Sequence, residues 1–143
     1  MTQLTPHFSL EELTFTDHRE FDNVPNESET KNLERLAQFL EMVKELLGNK
    51  PIMVNSAFRS KAVNDAVGSR DTSQHRLGCA ADIRVPGMTP DEVVKTIIAS
   101  ELQYDQIIRE FDRWTHISVP NSPNDKPRLQ KLIIDKAGTR LYA

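Results

Sequence analysis

The sequence predicts an α+β domain in which helices cover an antiparallel sheet of about four strands. Two segments, residues 30–47 and 89–102, carry apolar side chains at helical spacing. Residues 80–85 alternate between apolar and polar side chains, as a half-buried strand does. No internal repeat or low-complexity tract is present in the 143 residues. We therefore expect a single domain over residues 1–143.

The N-terminal third is expected to lead into one long helix. Residues 1–29 predict an irregular lead-in with one short helical turn, because Ser9 and Glu12 can form a capping box. The long helix is expected from Glu29 to Leu47, and Gly48 is placed to end it.

The remaining elements follow from short apolar runs and capping residues. Thr89-Pro90 supplies a helix cap and a proline at the first helical position, so the second helix is expected to begin there. The other predicted elements are a buried strand at 52–54, a short helix at 60–67, a polar loop at 68–78, and strands at 80–85, 106–110, 114–119 and 129–135.

Composition excludes several classes of protein. The net charge is −3 and the sequence pI is about 5.8, so the basic surface of a nucleic-acid-binding protein is missing. The single cysteine, Cys79, excludes an intramolecular disulfide and a cysteine-based zinc cluster. No apolar run is long enough to cross a bilayer.

The chemically informative residues are two histidines and an aspartate. His75 lies in a loop bounded by glycine, and Asp82 projects from the strand that follows, on the face opposite its apolar side chains. His116 lies on the later strand, residues 114–119. Two imidazoles and one carboxylate suit a single Zn²⁺ ion that keeps a fourth position open for water. A lone histidine is more often structural, so the prediction depends on the three residues acting together.

Hydrolysis also needs a base beside the attacking water, and Glu110 is the first candidate. If the hairpin is centred on Arg113, Glu110 lies directly opposite His116, with Cβ atoms about 4.5 to 5.5 Å apart. Asp112 is the rival base, although near the apex of the turn an aspartate commonly caps the backbone. Glu110 could also be a solvated residue at a strand end.

Four further side chains are candidate substrate contacts. The planar guanidinium of Arg59 could hold a carboxylate or a developing oxyanion, or it could form a surface ion pair. Ser73 and Gln74 could touch substrate or bond to the loop that carries His75. Trp114, on the same strand face as His116, could line a substrate groove or pack in the core.

The stretch Ser73-Gln74-His75-Arg76-Leu77-Gly78-Cys79-Ala80-Ala81-Asp82 matches the SxHxxGxAxD signature, and the chain thereby resembles the zinc D-alanyl-D-alanine carboxypeptidase family. Trp114-Thr115-His116 resembles the strand of its third ligand, and Val54–Ser60 resembles its SxYRS element. The lead-in Phe8–Leu13 is also similar. The same metal scaffold occurs in lysostaphin-type enzymes and in the sonic hedgehog signalling domain.

The resemblance implies roles for these positions. His75, Asp82 and His116 would be the ligands of one Zn²⁺ ion, Glu110 the base, and Arg59 a contact to a substrate carbonyl or carboxylate. Many family members place the acid three residues before the last histidine, where this chain has Arg113, and others place it six before, which matches Glu110.

The implied substrate is the peptide stem of bacterial peptidoglycan, cut by a carboxypeptidase or an endopeptidase. The alternatives are a catalytically silent, zinc-containing wall-binding module and a structural protein of a phage particle. Residues 1–15 do not resemble a signal peptide. We therefore expect the protein in the bacterial cytoplasm, with delivery to the wall by lysis or through a separate pore, as for phage endolysins.

Overall fold

The computed structural model describes residues 2–142. Helices and strands alternate irregularly along this part of the chain, and the α+β class is confirmed. In chain order the elements are β1 (Gln3–Thr5), β2 (Phe8–Ser9), α1 (Leu10–Leu13), α2 (Glu27–Leu46), β3 (Met53–Ser56), α3 (Lys61–Ala66), a 3-10 helix (Gln74–Leu77), β4 (Ala80–Arg84), α4 (Pro90–Ile98), β5 (Gln106–Glu110), β6 (Trp114–Ser118), β7 (Gln130–Asp135) and β8 (Gly138–Leu141).

The main sheet is larger than the sequence predicts, and it is not wholly antiparallel. Its six strands have the order β3-β4-β6-β5-β7-β8. Strands β5 and β7 are parallel, and the other neighbours are antiparallel. Gln106, at the start of β5, pairs with both Ser118 and Gln130. The connection at 119–129 therefore passes the start of β5 and sets β7 beside it, an order that strand patterns alone do not reveal.

The lead-in is more ordered than its composition predicts. Strands β1 and β2 form a small antiparallel pair that the sequence analysis missed, because segments of three and two residues are too short to show alternation. The predicted capping box at α1 is confirmed, since the Ser9 side chain accepts a hydrogen bond from the Glu12 backbone N–H and the Glu12 carboxylate accepts one from the Ser9 backbone N–H.

The two longer helices differ from the prediction mainly at their ends. Helix α2 begins at Glu27, because Asn26 and Glu29 form a capping box that the prediction placed inside the irregular segment. It ends at Leu46, just before Gly48 with φ +74°. Helix α4 begins after the predicted Thr89 cap but ends at Ile98, four residues earlier than expected. Among residues 2–142, no helix has both the length and the apolar character that a membrane span requires.

The sheet separates the hydrophobic core from a polar face. Ala81, Ile107 and Ile117 are neighbours across β4, β5 and β6, and all three are fully buried in the core shared with α2 and α4. Alternation places the next residue of each strand on the opposite face. On that face Asp82 of β4 pairs directly with His116 of β6.

Candidate metal centre

Three side chains of ligand type converge on the polar face of the sheet. His75, Asp82 and His116 are all buried, and each offers a ligand atom within 4.8 Å of the others. The Asp82–His116 strand pairing brings two of them together, and the 3-10 helix before β4 delivers the third. The structure therefore brings together the three residues that the sequence proposed as metal ligands.

The spacing of these atoms suits a small tetrahedral cation. His116 Nδ1 lies 2.9 Å from Asp82 Oδ1, and His75 Nε2 lies 3.4 Å from Asp82 Oδ2. Two ligands of a tetrahedral zinc, each about 2.0 Å from the ion, are about 3.3 Å apart. Two imidazoles and one carboxylate, with no fourth protein ligand in this group over residues 2–142, fit a zinc ion with an open position.

The orientation of His75 depends on main-chain groups of other segments. Its Nδ1 lies 2.6 Å from the carbonyl oxygen of Ala57. A carbonyl can only accept a hydrogen bond, so Nδ1 carries the proton and Nε2 keeps its lone pair for the centre. The His75 loop closes at Gly78, whose φ is +79° and where a Cβ would lie 2.8 Å from the Glu29 carbonyl oxygen. Glycine is therefore required there both for backbone conformation and for space.

Glu110 reaches the centre by a different register from the predicted one. Glu110 pairs with Trp114, whereas His116 pairs with Ile108, so the hairpin is centred on Asp112 and not on Arg113. The prediction that Glu110 lies directly opposite His116 is wrong. Glu110 and His116 are instead diagonal neighbours on the same face, and His116 Nδ1 lies 3.9 Å from Glu110 Oε1. The carboxylate is thus beside the centre without belonging to the group of three.

Asp112, the rival carboxylate, is held away from the centre. Its Oδ1 accepts a hydrogen bond of 2.6 Å from Arg109 Nε, and Arg109 also contacts Asp91 at 3.2 Å. Arg109 pairs with Thr115 and therefore lies on the opposite face of the sheet from His116.

Arg59 places a cation at the edge of the three-residue group. Its Nη2 lies 3.5 Å from Asp82 Oδ2, and its Nε donates to Ser56 Oγ at 3.2 Å. The side chain is only 15% exposed. Burial lowers the pKa of Arg59, while the charges of Asp82 and Glu110 raise it. This is a fixed cation facing the centre, not the surface ion pair that the sequence left open.

The surroundings shift the pKa values of His75, Asp82 and Glu110 in different directions. Burial lowers the pKa of His75 and so favours its neutral form. Burial opposes ionisation of Asp82, but contacts with His75 and His116 outweigh it and hold the pKa of Asp82 well below its ordinary value. For Glu110, burial and the charge of Asp82 raise the pKa, against smaller lowering effects of His116, Trp114 and Arg59. Glu110 is therefore the better proton acceptor of the two carboxylates.

Ser73 and Gln74 make hydrogen bonds within the protein. Ser73 Oγ accepts from the His75 backbone N–H at 3.2 Å. Gln74 Nε2 donates to Asp105, to the Val119 carbonyl and to Asn121, at 2.8 to 3.1 Å. These bonds match the alternative in which both residues support the His75 loop. A substrate contact by either residue stays a prediction.

Trp114 is partly buried beside Glu110. Its Nε1 is buried and has no hydrogen-bond partner of ordinary geometry in the part of the chain described. The same N–H lowers the pKa of Glu110, the cross-strand neighbour of Trp114. The indole therefore lies on the polar face beside Glu110, without a hydrogen bond between the two side chains in this structure.

The hairpin turn next to these residues is strained, which the sequence analysis did not anticipate. Phe111 and Asp112 both have φ of +53°. A hairpin turn with two positive φ values normally carries Asn-Gly, and a residue with a Cβ costs about 1 to 2 kcal/mol in this region. The Phe111 ring is 46% exposed and lies 6.2 Å, between ring centroids, from that of Trp114. An unfavourable residue pair at a hairpin turn is the signal that could have marked this position.

Comparison with known proteins agrees with this geometry. Residues 6–118 match the Peptidase M15 family, and the chain belongs to that family. A segment of 44 residues is 43% identical to the zinc D-Ala-D-Ala carboxypeptidase of Streptomyces albus G. The segment covers 31% of this chain and 17% of the length of that relative. The family assignment therefore rests on most of the chain, whereas the likeness to that carboxypeptidase is local.

Proposed function

We propose that this protein is a zinc-dependent peptidase that hydrolyses peptide bonds in the stem peptides of bacterial peptidoglycan. The observation that carries the proposal is the convergence of His75, Asp82 and His116, with Glu110 3.9 Å from His116. Membership of the Peptidase M15 family and the local likeness to a zinc D-Ala-D-Ala carboxypeptidase support it.

In this proposal His75 Nε2, Asp82 and His116 Nδ1 hold one zinc ion. The ion, when bound, polarises the substrate carbonyl and makes water more acidic. Glu110 accepts the proton of the attacking water and passes it to the leaving amine. Its raised pKa suits the first step, because a carboxylate of higher pKa is a stronger base.

Arg59 is proposed to hold the substrate. Its guanidinium is fixed by Ser56 and Asp82, so little side-chain freedom is lost when it binds an oxygen ligand. It could donate two hydrogen bonds to a terminal carboxylate or to the oxygen of the carbonyl under attack. The first would suit a carboxypeptidase and the second an endopeptidase, which share the same metal chemistry and differ in how the groove is shaped.

A silent wall-binding module with a structural zinc is the second candidate. A structural site needs no proton acceptor, and structural zinc is usually enclosed by four protein ligands. Here three ligand-type residues group together, and a buried carboxylate of raised pKa lies beside them. These observations favour the hydrolase. A structural protein of a phage particle would require neither feature.

The test incubates the purified, zinc-loaded protein with peptidoglycan of several chemotypes, with and without a chelator. We expect new amino or carboxyl termini that disappear with chelator and return on adding zinc. Mass spectrometry of the muropeptides would identify the bond. Stoichiometric zinc without any released termini would favour the binding module, and absence of stoichiometric zinc would favour the phage structural protein.

A further inference from the structure

A cleft adjoins the candidate centre on the side of Glu110. Its volume is about 720 Å³, and it lies between the β5–β6 turn and the turn that joins β7 to β8. The two turns are linked, because the Phe111 backbone N–H donates to the Ile134 carbonyl at 2.8 Å. Trp114 lines this cleft and pairs with Glu110, so the cleft adjoins the end of the hairpin that carries Glu110.

The cleft is lined by two aromatic side chains, Phe111 and Trp114, and the backbone of Phe111 is strained. Phe111 occupies a backbone conformation that phenylalanine disfavours, yet its side chain is 46% exposed and gains little from burial. Strain of this kind persists where the surroundings enforce it, and it clusters at sites that contact ligands. The strained turn presents the Phe111 ring beside Trp114, facing the cleft.

The charges around the cleft leave two cations without a partner. Asp112 is bound by Arg109, and Asp135 is bound by Arg140 through two contacts of 2.8 Å. Arg113 and Lys136 line the same cleft, and within residues 2–142 neither has a carboxylate within 4 Å. The acids are therefore neutralised from outside the cleft, and the free charge inside it is positive.

We propose that this cleft, formed by Phe111, Trp114, Arg113 and Lys136, binds the part of a wall peptide that carries a free carboxylate outside the peptide bonds, near the bond to be cut. The proposal rests on the proposed function for the identity of the substrate. The aromatic rings would contact the peptide backbone and its apolar groups, and the two cations would pair with the carboxylate.

The first experiment uses two peptides that differ in one group. One is a synthetic peptidoglycan stem pentapeptide with the free carboxylate of its D-glutamate residue, and the other carries a carboxamide there. Trp114 is the only tryptophan, so its fluorescence reports binding in the cleft directly. With zinc-loaded Glu110→Gln protein, we expect the carboxylate peptide to bind about tenfold more tightly than the carboxamide, as for one favourable ion pair. Equal affinities would overturn the proposal.

The second experiment removes the two cations. We expect Arg113→Gln with Lys136→Gln to abolish the preference for the carboxylate peptide while the affinity for the carboxamide changes little. Lys31→Gln with Lys50→Gln, both exposed and outside the cleft, is the matched loss of two charges and should keep the preference. If the double variant still prefers the carboxylate peptide, Arg113 and Lys136 do not bind the carboxylate and the proposal is wrong.

The third experiment separates strain from packing. Asparagine readily adopts positive φ, so Phe111→Asn should raise the melting temperature while it raises KM for the carboxylate peptide, with kcat little changed. Phe15→Asn removes an equally exposed ring, 45% against 46%, in the lead-in and should not alter KM. A stabilised Phe111→Asn protein with unchanged KM would show that the ring does not touch substrate.

Failure of the proposed function has a different signature. If no peptidoglycan is cut but the carboxylate peptide still binds with the stated preference, the assignment of the cleft holds and the proposed peptidase activity is wrong. If walls are cut with zinc and the two peptides bind alike, the hydrolase stands and the cleft assignment is overturned.

Discussion

Two polar clusters beside the main sheet, both within residues 2–142, are built in opposite ways. Around Asp105, which is 4% exposed, Gln74 donates one hydrogen bond and Arg128 donates three, including one from its backbone N–H. Around Asp82, two imidazoles and Arg59 approach at 2.9 to 3.5 Å, and a second carboxylate, Glu110, lies nearby. Both clusters are buried and both contain a depressed aspartate pKa.

The two clusters differ in whether their polar atoms are already paired within the protein. The Asp105 cluster pairs its acceptor with strong donors and so needs no ligand. The His75–Asp82–His116 cluster points ligand atoms at a common position, and a cation there would bind all three. Burial and a shifted pKa are therefore shared by a structural cluster and a candidate catalytic one, whereas convergence of ligand atoms distinguishes them.

The largest expected effect comes from removing a ligand of the candidate centre. His116→Ala should abolish stoichiometric zinc and reduce wall hydrolysis to the background level, because a tetrahedral site keeps only two protein ligands. Elemental analysis of dialysed protein measures the zinc. His7→Ala, which loses only a surface contact with Glu41, is the control and should retain both. A His116→Ala protein with full zinc content would disprove the ligand assignment.

The next effect separates chemistry from metal binding. Glu110→Gln should keep the zinc but lower kcat by about 10² to 10⁴, the usual contribution of a general base. Asp112→Asn tests the rival carboxylate and should cost far less, since Asp112 faces Arg109 and not the centre. Steady-state kinetics with released termini as the signal decides between them. The reverse ranking of the two variants would assign the base to Asp112.

The Asp105 cluster should affect stability and not chemistry. Asp105→Ala should lower the free energy of unfolding by about 1 kcal/mol at neutral pH, since Arg128 loses its carboxylate partner but is 53% exposed and can bond to water instead. Contacts with Arg128 and Gln74 outweigh burial and lower the folded-state pKa of Asp105. The stabilisation is therefore complete above the unfolded pKa of about 3.9 and is lost as pH falls toward the folded value.

Urea unfolding at pH 7 and at successively lower pH measures this effect. The difference in unfolding free energy between the wild type and Asp105→Ala should shrink below about pH 4, where the unfolded aspartate becomes protonated. Zinc content below the unfolding transition should be unchanged. A difference that stays constant across the acid range would mean that packing, not the charge of Asp105, stabilises the cluster.

The smallest effect concerns the donor that faces Glu110. Trp114→Phe keeps an aromatic ring and removes the buried N–H that lowers the pKa of Glu110. Glu110 then stays protonated to higher pH, so we expect kcat below neutral pH to fall by less than about tenfold, with little change in KM. In the Glu110→Gln background the same change should cost nothing further. An equal loss in both backgrounds would show that the indole acts by packing and not through Glu110.

The sequence was informative where function is encoded locally. The spacing from Ser73 to Asp82 indicated a loop histidine followed by a strand aspartate, and the structure places both in the group with His116. The α2 and α4 helices, the capping box at Ser9 and the helix cap at Thr89 also followed from residue spacing. These features depend on interactions between residues a few positions apart.

Other features depend on which segments become neighbours. The centre of the hairpin was predicted one residue too late, because the turn conformation, with positive φ at Phe111 and Asp112, has no strong sequence signature here. The contact from His75 to the Ala57 carbonyl involves a main-chain group, and every residue has one.

By itself, the sequence determined the helix positions, the identities of the three ligand-type residues and the nearby acids, because periodicity and side-chain chemistry are local properties. Only the tertiary structure decided the mixed strand order, the diagonal approach of Glu110 to His116 and the cleft beside Phe111. Those depend on long-range strand pairing, in which distant segments compete for the same neighbours and the core that they bury together selects the arrangement.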